Sequence, residues 1–197
     1  MPTNKANKVK FGLKNVHYAM LTEADGGEVT YGTPVAILGA VNLSMDAQGD
    51  TSTFYADDMA YYVTSANDGY SGDLEIAVIP DSFRKDVLQE TEDDTDKILV
   101  ENVNAEPKPF ALLFEFAGDQ KAVRHVLHNC AATRPSLTGA TTTNTKEPST
   151  ETITITASPL SSGVIKAKTT PDTPDEKYNA WYQYVWQQGA AAGGGGG

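Results

Sequence analysis

Residues 68–88 read DGYSGDLEIAVIPDSFRKDVL, and this stretch predicts the fold of the chain. Leu74, Ile76 and Val78 alternate with other side chains, which is the period-two pattern of a strand with one buried face. Pro80 ends the predicted strand, because proline has no N–H to donate to the hydrogen-bond ladder of a sheet.

A short helix is predicted directly after this strand, over residues 81–89. Asp81 or Ser82 is expected to cap its free N–H groups. Its apolar side chains fall on one side: Phe83, Val87 and Leu88. That side must lie against an apolar surface. One amphipathic helix laid on strands predicts a mainly β domain with a helical lid.

Two further stretches strengthen the β prediction. Residues 110–116 place four large apolar side chains on one face of a strand, the densest core contribution in the chain: Phe110, Leu112, Phe114 and Phe116. Residues 150–157 alternate isoleucine with threonine, which favours a strand. The predicted fold class is therefore mainly β, with two packed antiparallel sheets (a sandwich or half-barrel), one internal α-helix and a C-terminal helical arm.

The polar stretches divide the chain into segments. They are a flexible N-terminal arm (1–7), a β domain (8–170), a linker with a C-terminal helix (171–188) and a flexible Gly/Ala-rich tail (189–197). The C-terminal helix carries Trp181, Tyr182 and Trp186 at helical spacing. So much aromatic surface is expected to dock, either on its own domain or on a neighbour.

Within the β domain, residues 45–61 predict a hairpin that projects from the sheet. The stretch is polar and weakly patterned at first, and then carries the aromatic pair Phe54 and Tyr55. Aromatic side chains on a projecting loop are typical of protein–protein contacts. For residues 61–63 the sequence leaves two alternatives open, contact with a partner or entry into the core.

Composition limits the function classes. The chain has 197 residues, a formal net charge of −11 and a sequence pI near 4.6. This acidity argues against tight nucleic-acid binding, which needs lysine and arginine to neutralise phosphates. Cys130 is the single cysteine, and its apolar surroundings predict a buried thiol. No apolar signal segment or membrane span is visible, so synthesis in a cytosol and no membrane association are expected.

No catalytic, cofactor or metal site is predicted. His125 and His128 are three apart on a predicted strand and point to opposite faces. The acids of residues 90–96 suggest Ca²⁺ binding, but they lack the turn glycine and distal glutamate of a calcium loop. A solvated acidic loop fits them better, and the same holds for the adjacent Asp57 and Asp58.

Several stretches, in order, resemble the major tail proteins of long-tailed, non-contractile phages (the siphophage type). They are Lys8–Ala19, Phe54–Asp57, Asn67–Glu75, Pro107–Phe116, Arg124–Leu127 and Arg134–Ser136. Each motif is unspecific alone, whereas the ordered series covers roughly residues 8–186. The glycine-rich tail departs from the family pattern.

The resemblance implies a structural virion protein of the tail, synthesised in the bacterial host cytoplasm. In that family six subunits close into a ring around a lumen, and rings stack into the tail tube through which DNA is delivered. Implied partners are other copies of the chain, the tape measure protein and other tail proteins, while DNA passes without specific binding.

The resemblance also suggests roles for particular residues. Inter-ring contacts are expected from Phe54, Tyr55, Asp57 and Asp58 on the projecting hairpin. Lumen-facing candidates are Asp73 and Glu75, since a negative wall repels phosphate. Arm contacts to neighbours are expected from Trp181, Tyr182 and Trp186.

Two alternatives remain at this stage. One is a tail terminator or completion protein of the same fold, which would form a single ring. The other, from a different class, is a metal-dependent or carbohydrate-binding β-sandwich protein that uses the acids of residues 90–96 or Asp57 and Asp58. Electron microscopy distinguishes tubes from single rings. A melting temperature that rises with Ca²⁺ would favour the metal-dependent β-sandwich protein.

Overall fold

Thirteen strands and two short helices make up the part of the chain that the computed structural model describes, residues 6–24, 27–139, 141 and 148–189. The strands are β1 (Lys10–Glu23), β2 (Val29–Tyr31), β3 (Val35–Ala36), β4 (Ala40–Gln48), β5 (Thr51–Ala56), β6 (Met59–Ser65), β7 (Gly69–Ile76), β8 (Thr91–Glu92), β9 (Leu99–Val100), β10 (Phe110–Gly118), β11 (Val123–Ala132), β12 (Glu151–Ala157) and β13 (Lys166–Lys168). The helices are α1 (Asp81–Asp86) and α2 (Asp175–Asn179). Neither is long or apolar enough to cross a membrane.

Nine of these strands form one antiparallel sheet in the order β2-β1-β10-β11-β12-β7-β4, with β3 on β1 and β13 on β11. Strand β11 is shared: its first half pairs with β13 and its second half with β12. The sheet therefore divides at β11 into a β1/β10 part and a β12/β7/β4 part. The hairpins β5–β6 and β8–β9 are separate two-stranded sheets. The prediction of a mainly β, antiparallel fold with an internal helix is confirmed.

Helix α1 lies on the main core, as its apolar side predicted. Phe83 is fully buried, with its ring 5.2 Å from that of Tyr18 and 5.5 Å from that of Phe110, both edge to face. Val87 and Leu88 are buried beside it. The core continues through Leu74 and Ile76 of β7, Phe110, Leu112 and Phe114 of β10, and Ile153 and Ile155 of β12.

Three local predictions around α1 were wrong. Strand β7 ends at Ile76, so Val78 is 68% exposed and the next buried side chain is Ile79. The chain bends there, after the Ala77 N–H donates to the Gly39 carbonyl at 2.8 Å, and the bend breaks the alternation. The helix also ends at Asp86, and neither Asp81 nor Ser82 caps it.

The second face of β10 is covered by the C-terminal segment. Ala111 and Leu113 pack there against Trp181 and Val185, all of them buried. The predicted long C-terminal helix is a single five-residue helix followed by turns. A helix this short is not stable by itself, so packing on the sheet decides its conformation.

A buried ion pair fastens this segment. The Arg124 Nε donates to the Glu115 carboxylate at 3.0 Å, and the two side chains are only 16% and 8% exposed. Glu115 also accepts a hydrogen bond from the Tyr182 hydroxyl at 3.2 Å, and Arg124 donates to the Tyr178 carbonyl. The arginine thus joins the sheet to the segment, with its guanidinium 3.9 Å from the centre of the Tyr178 ring.

The predicted terminal segments lie largely outside the described residues, which begin at residue 6 and end at residue 189. This applies to residues 1–5 of the predicted N-terminal arm and to residues 190–197 of the predicted tail. Within the arm, the Asn7 side-chain oxygen accepts hydrogen bonds from the backbone of Gln120 and Lys121, each at 3.0 Å. Asn7 is therefore attached to the β10–β11 turn.

Replacing Phe83 should show how much stability the helical lid supplies. Phe83→Ala is expected to lower the free energy of unfolding by about 3–5 kcal/mol, because it leaves a cavity in the core. Phe83→Asp should cost more, because the carboxylate would be buried without a partner. Urea denaturation followed by circular dichroism measures both. Val78→Ala, at an exposed position, is the control and should change stability by less than about 0.5 kcal/mol.

Removing Arg124 should loosen the C-terminal segment. Arg124→Ala leaves the buried Glu115 carboxylate without its cation and is expected to cost about 3–5 kcal/mol. Both tryptophans of the chain, Trp181 and Trp186, lie in this segment, so red-shifted tryptophan emission would report its release. Lys121→Ala removes an ion pair to the 87%-exposed Asp175 and should cost less than about 1 kcal/mol. Equal effects of the two variants would contradict the assigned role of Arg124.

Candidate assembly surfaces

A two-stranded ribbon of β5 and β6 extends the pairing of β4 with β7 beyond the sheet. The Ala66 N–H donates to the Asp50 carbonyl at 2.9 Å and the Asp68 N–H to the Gln48 carbonyl at 3.0 Å, so pairing continues between the two parts. Strands β5 and β6 pair with each other and make no extensive contact with other described elements. The projecting hairpin therefore spans residues 51–65, and Met45, placed in it by the prediction of residues 45–61, belongs to the partly buried β4.

Glycines shape the base of the ribbon. Gly49 has φ 143° and Gly69 has φ 118°, in a region that side chains disfavour. A Cβ atom at Gly69 would lie 1.9 Å from the Ala157 carbonyl oxygen, and one at Gly49 would lie 2.1 Å from the Ala66 oxygen. The backbones at this point are too close for any other residue, so the glycines set where the ribbon leaves the sheet.

Both faces of the ribbon are apolar and exposed. Phe54 lies opposite Tyr62 on one face and Thr53 opposite Val63 on the other, while Tyr55 lies opposite Ala60. The large side chains are 56–74% exposed: Phe54, Tyr55, Met59, Tyr61, Tyr62 and Val63. Residues 61–63 therefore do not enter the core of the subunit. Apolar surface of this kind, held on a projection, marks a protein interaction site.

The ribbon ends in the turn Asp57-Asp58, whose residues both have left-handed φ, 51° and 57°. Such a turn fits the twist of a hairpin, and Asn-Gly is its usual sequence. Two adjacent carboxylates there repel each other and occupy a backbone region that costs free energy for residues other than glycine. We name Tyr55–Met59 the acidic tip.

The outer face of β4, β7 and β12 is polar and acidic. Cross-strand rows there join Asn42, Glu75 and Thr152; Ser44, Asp73 and Thr154; and Asp46, Ser71 and Thr156. The Thr154 hydroxyl donates to Asp73 at 2.7 Å, and the Thr150 hydroxyl donates to Glu75 at 2.6 Å. These three strands contain no lysine or arginine. The face therefore presents carboxylates and hydroxyls without a compensating cation of its own.

The three aromatic residues expected in arm contacts lie on the subunit's own sheet. Trp181 is 4% exposed, and its indole N–H donates to the His125 carbonyl at 3.4 Å. Tyr182 and Trp186 are half-buried around the same cluster, and the Tyr182 ring stacks on His17 at 4.6 Å. Burial raises the pKa of Tyr182 well above its ordinary value, and the neighbouring Glu115 carboxylate raises it further.

Three lysines lie around a cleft between the β1/β10 part and the β7/β4 part of the sheet. We name this cleft the basic groove; Lys10, Lys166, Lys168, Tyr70, Phe116 and His125 line it. The Lys10 ammonium lies 4.2 Å from the centre of the Phe116 ring, and that of Lys166 lies 4.3 Å from the centre of the Tyr70 ring. Burial, and then the charges of Lys168, Lys166 and Lys10, lower the pKa of His125 to about 4.

The acidic loop and Cys130, which the sequence singled out, show no sign of a metal site. Among the described residues, no group of three or more histidine, cysteine, aspartate or glutamate side chains is placed to hold a metal ion. In the acidic loop the Asp93 carboxylate accepts hydrogen bonds from the Thr95 and Asp96 backbone, which lower its pKa. Cys130 is fully buried, as predicted, and burial raises its pKa to about 12.

The sequence prediction missed the basic groove and most of the ribbon's apolar surface. Lys166 and Lys168 alternate on a short strand, which places them on one face. Their sequence gives no sign that β13 pairs with β11 near Lys10. The pattern of Tyr61, Tyr62 and Val63 fits a core strand as well as an exposed contact strand. Only the observed strand pairing distinguishes these two placements.

Comparison with known proteins identifies the family of the chain. A family model described as phage tail tube protein matches residues 1–113, which is more than half of the chain. No curated protein matches the chain. The matched region contains the ribbon, the acidic strands β4 and β7, helix α1 and most of the main core. The chain belongs to the phage tail tube protein family and is a structural protein of the phage tail.

Proposed function

We propose that the chain forms hexameric rings that stack into the tube of a long, non-contractile phage tail, and that DNA passes through the lumen into the host. The observation that carries this proposal is the β5–β6 ribbon, which exposes large apolar side chains on both faces. An isolated two-stranded hairpin is at best marginally stable in water. A neighbouring subunit that covers the ribbon would remove this apolar surface from water and stabilise it.

The roles assigned within the tube follow from where the surfaces lie. Phe54, Tyr55, Asp57 and Asp58 form the inter-ring contact, because they lie at and next to the turn that ends the ribbon. Asp73 and Glu75 are assigned to the lumen. The face of β4, β7 and β12 that points away from the subunit core carries carboxylates and no lysine or arginine. A negative wall repels the phosphates of passing DNA.

Ring closure has a physical basis in the sheet as well. Strand β4 is at one end of the strand order and β2 at the other. Edge strands present unpaired N–H and C=O groups, and pairing between subunits satisfies them. Assembly with the tape measure protein and other tail proteins, after synthesis in the host cytoplasm, belongs to the same proposal. If the chain forms only single rings, a tail terminator replaces the tube as the proposed function.

Removing the ribbon tests the stacking step. Because the Ala66 N–H already bonds the Asp50 carbonyl at 2.9 Å, an Asn-Gly turn can replace residues 51–65 without altering the sheet. We expect this variant to fold, with the circular dichroism of a β protein, and to form rings at most. Electron microscopy of the wild type should show long hollow tubes. Tubes in the shortened variant would contradict the inter-ring role, and lone rings in the wild type would favour a terminator.

Reversing the charge of the acidic face tests the lumen assignment. Asp73→Lys with Glu75→Lys should still give tubes, but these should retain short duplex DNA at low salt and release it as salt rises. Filter retention of labelled DNA measures this. Asp94→Lys with Asp96→Lys, at exposed positions of the β8–β9 loop, is the matched control for net charge. If both pairs of substitutions retain DNA equally, the acidic face is not the lumen wall.

A further inference from the structure

We propose that the basic groove of one subunit receives the acidic tip of a second copy of the chain. The groove is thus the receptor for the ribbon. This inference rests on the proposed tube for its biological setting, and it names the surface that the ribbon contacts.

The groove combines an apolar floor with a cationic rim. Its two adjoining cavities have volumes of about 310 and 340 Å³ and share Lys10, Phe116 and His125. Half-buried Phe116 and Tyr70 form part of the floor, and the exposed Lys10, Lys166 and Lys168 form the rim. An occupant that combines apolar and acidic side chains fits both parts.

The rim lysines have no anionic partner within the described part of the subunit. Its ion pairs involve Arg84, Lys85, Lys97, Lys121, Arg124 and Arg134, and none of the three rim lysines. Instead, Lys10 and Lys166 lie over aromatic rings. In a chain with a net charge of −11, three unpaired ammonium groups around one cleft concentrate positive potential there.

The acidic tip has the complementary chemistry. Tyr55 and Met59, both 68% exposed, supply apolar surface, and Asp57 and Asp58 supply two carboxylates between them. No lysine or arginine occurs in β5, β6 or the turn that joins them. The left-handed Asp-Asp turn is a poorer choice for hairpin stability than Asn-Gly. Carboxylates that bind lysines in a neighbour account for its presence.

The occupant must come from another subunit. Met45 of β4 and Tyr70 of β7 lie at the groove, and the ribbon that carries Asp57 at its end continues from these two strands. Extended strands rise about 3.3 Å per residue, so roughly 40 Å of paired strand separates the tip from its own groove. Tip and groove are different surfaces at opposite ends of this paired stretch. A contact between them is head to tail and can continue from copy to copy, as a tube requires.

A cross-linking experiment tests the contact directly. Asp58→Cys and Lys168→Cys proteins are prepared separately, mixed and oxidised. The native Cys130 is fully buried and should not compete. We expect about tenfold more disulfide-linked dimer than from Asp58→Cys mixed with Lys108→Cys, an exposed lysine outside the groove. Equal yields from the two mixtures would overturn the proposal.

A charge exchange tests whether opposite charges hold the contact. Asp57→Asn with Asp58→Gly keeps a favourable turn and removes both carboxylates, while Lys166→Glu with Lys168→Glu reverses the rim. Each pair should raise the protein concentration needed for assembly about tenfold or more. Asp57→Lys with Asp58→Lys should assemble poorly alone and recover when combined with the reversed rim. Asp94→Asn with Asp96→Asn, on the acidic loop, is the control.

The two proposals fail in distinguishable ways. Tubes that persist after rim reversal, without the specific cross-link, would overturn the groove as receptor and leave the tube intact. A wild type that forms neither rings nor tubes would overturn the tube proposal. The cross-link needs only two subunits, so its presence or absence still decides whether the groove binds the tip.

Discussion

Strand β10 is buried on both faces, and the rest of the subunit is arranged to cover it. Phe110, Leu112 and Phe114 need one apolar layer, which α1 and the β12/β7 part of the sheet supply. Ala111 and Leu113 need a second layer, which the C-terminal segment supplies. A strand with two dry faces reads as a continuous apolar run, and it is stable only between two covering layers. Helix α1 and the C-terminal segment therefore serve the same physical purpose on opposite sides.

The ribbon is the one long element that receives no such cover. The ribbon continues the pairing of β4 with β7, which pack on the core, but the ribbon itself is exposed. Hydrogen bonds pair the two strands of the ribbon, but they do not remove its apolar side chains from water. In the proposed tube, a neighbouring subunit would supply the missing burial. The subunit thus carries a stable core and, continuous with it, a projection whose burial depends on neighbours.

Negative and positive side chains occupy different surfaces of the subunit. Carboxylates occupy the outer face of β4 and β7 and the end of the ribbon, while unpaired lysines rim the basic groove. Acidic subunits repel one another over distances of about one Debye length, roughly 8–10 Å in physiological salt. Local opposite charges are then needed where subunits meet. A uniform charge would give repulsion without orientation, whereas the separated pattern favours one arrangement of neighbours.

Periodicity in the sequence predicted the main core strands and the buried side of the helix. Phe83 could be assigned to the core because Val87 and Leu88 fall on the same side of the predicted helix. Phe110 could be assigned because Leu112, Phe114 and Phe116 share its face of the predicted strand. Tertiary structure alone decided the rest. Val78 continues the alternation but is exposed, because the backbone bends after Ile76. Lys10 and Lys166 come from distant segments, and only the pairing of β13 with β11 brings them to one cleft. Local pattern determines which face of an element is apolar, whereas long-range strand pairing determines what that face meets.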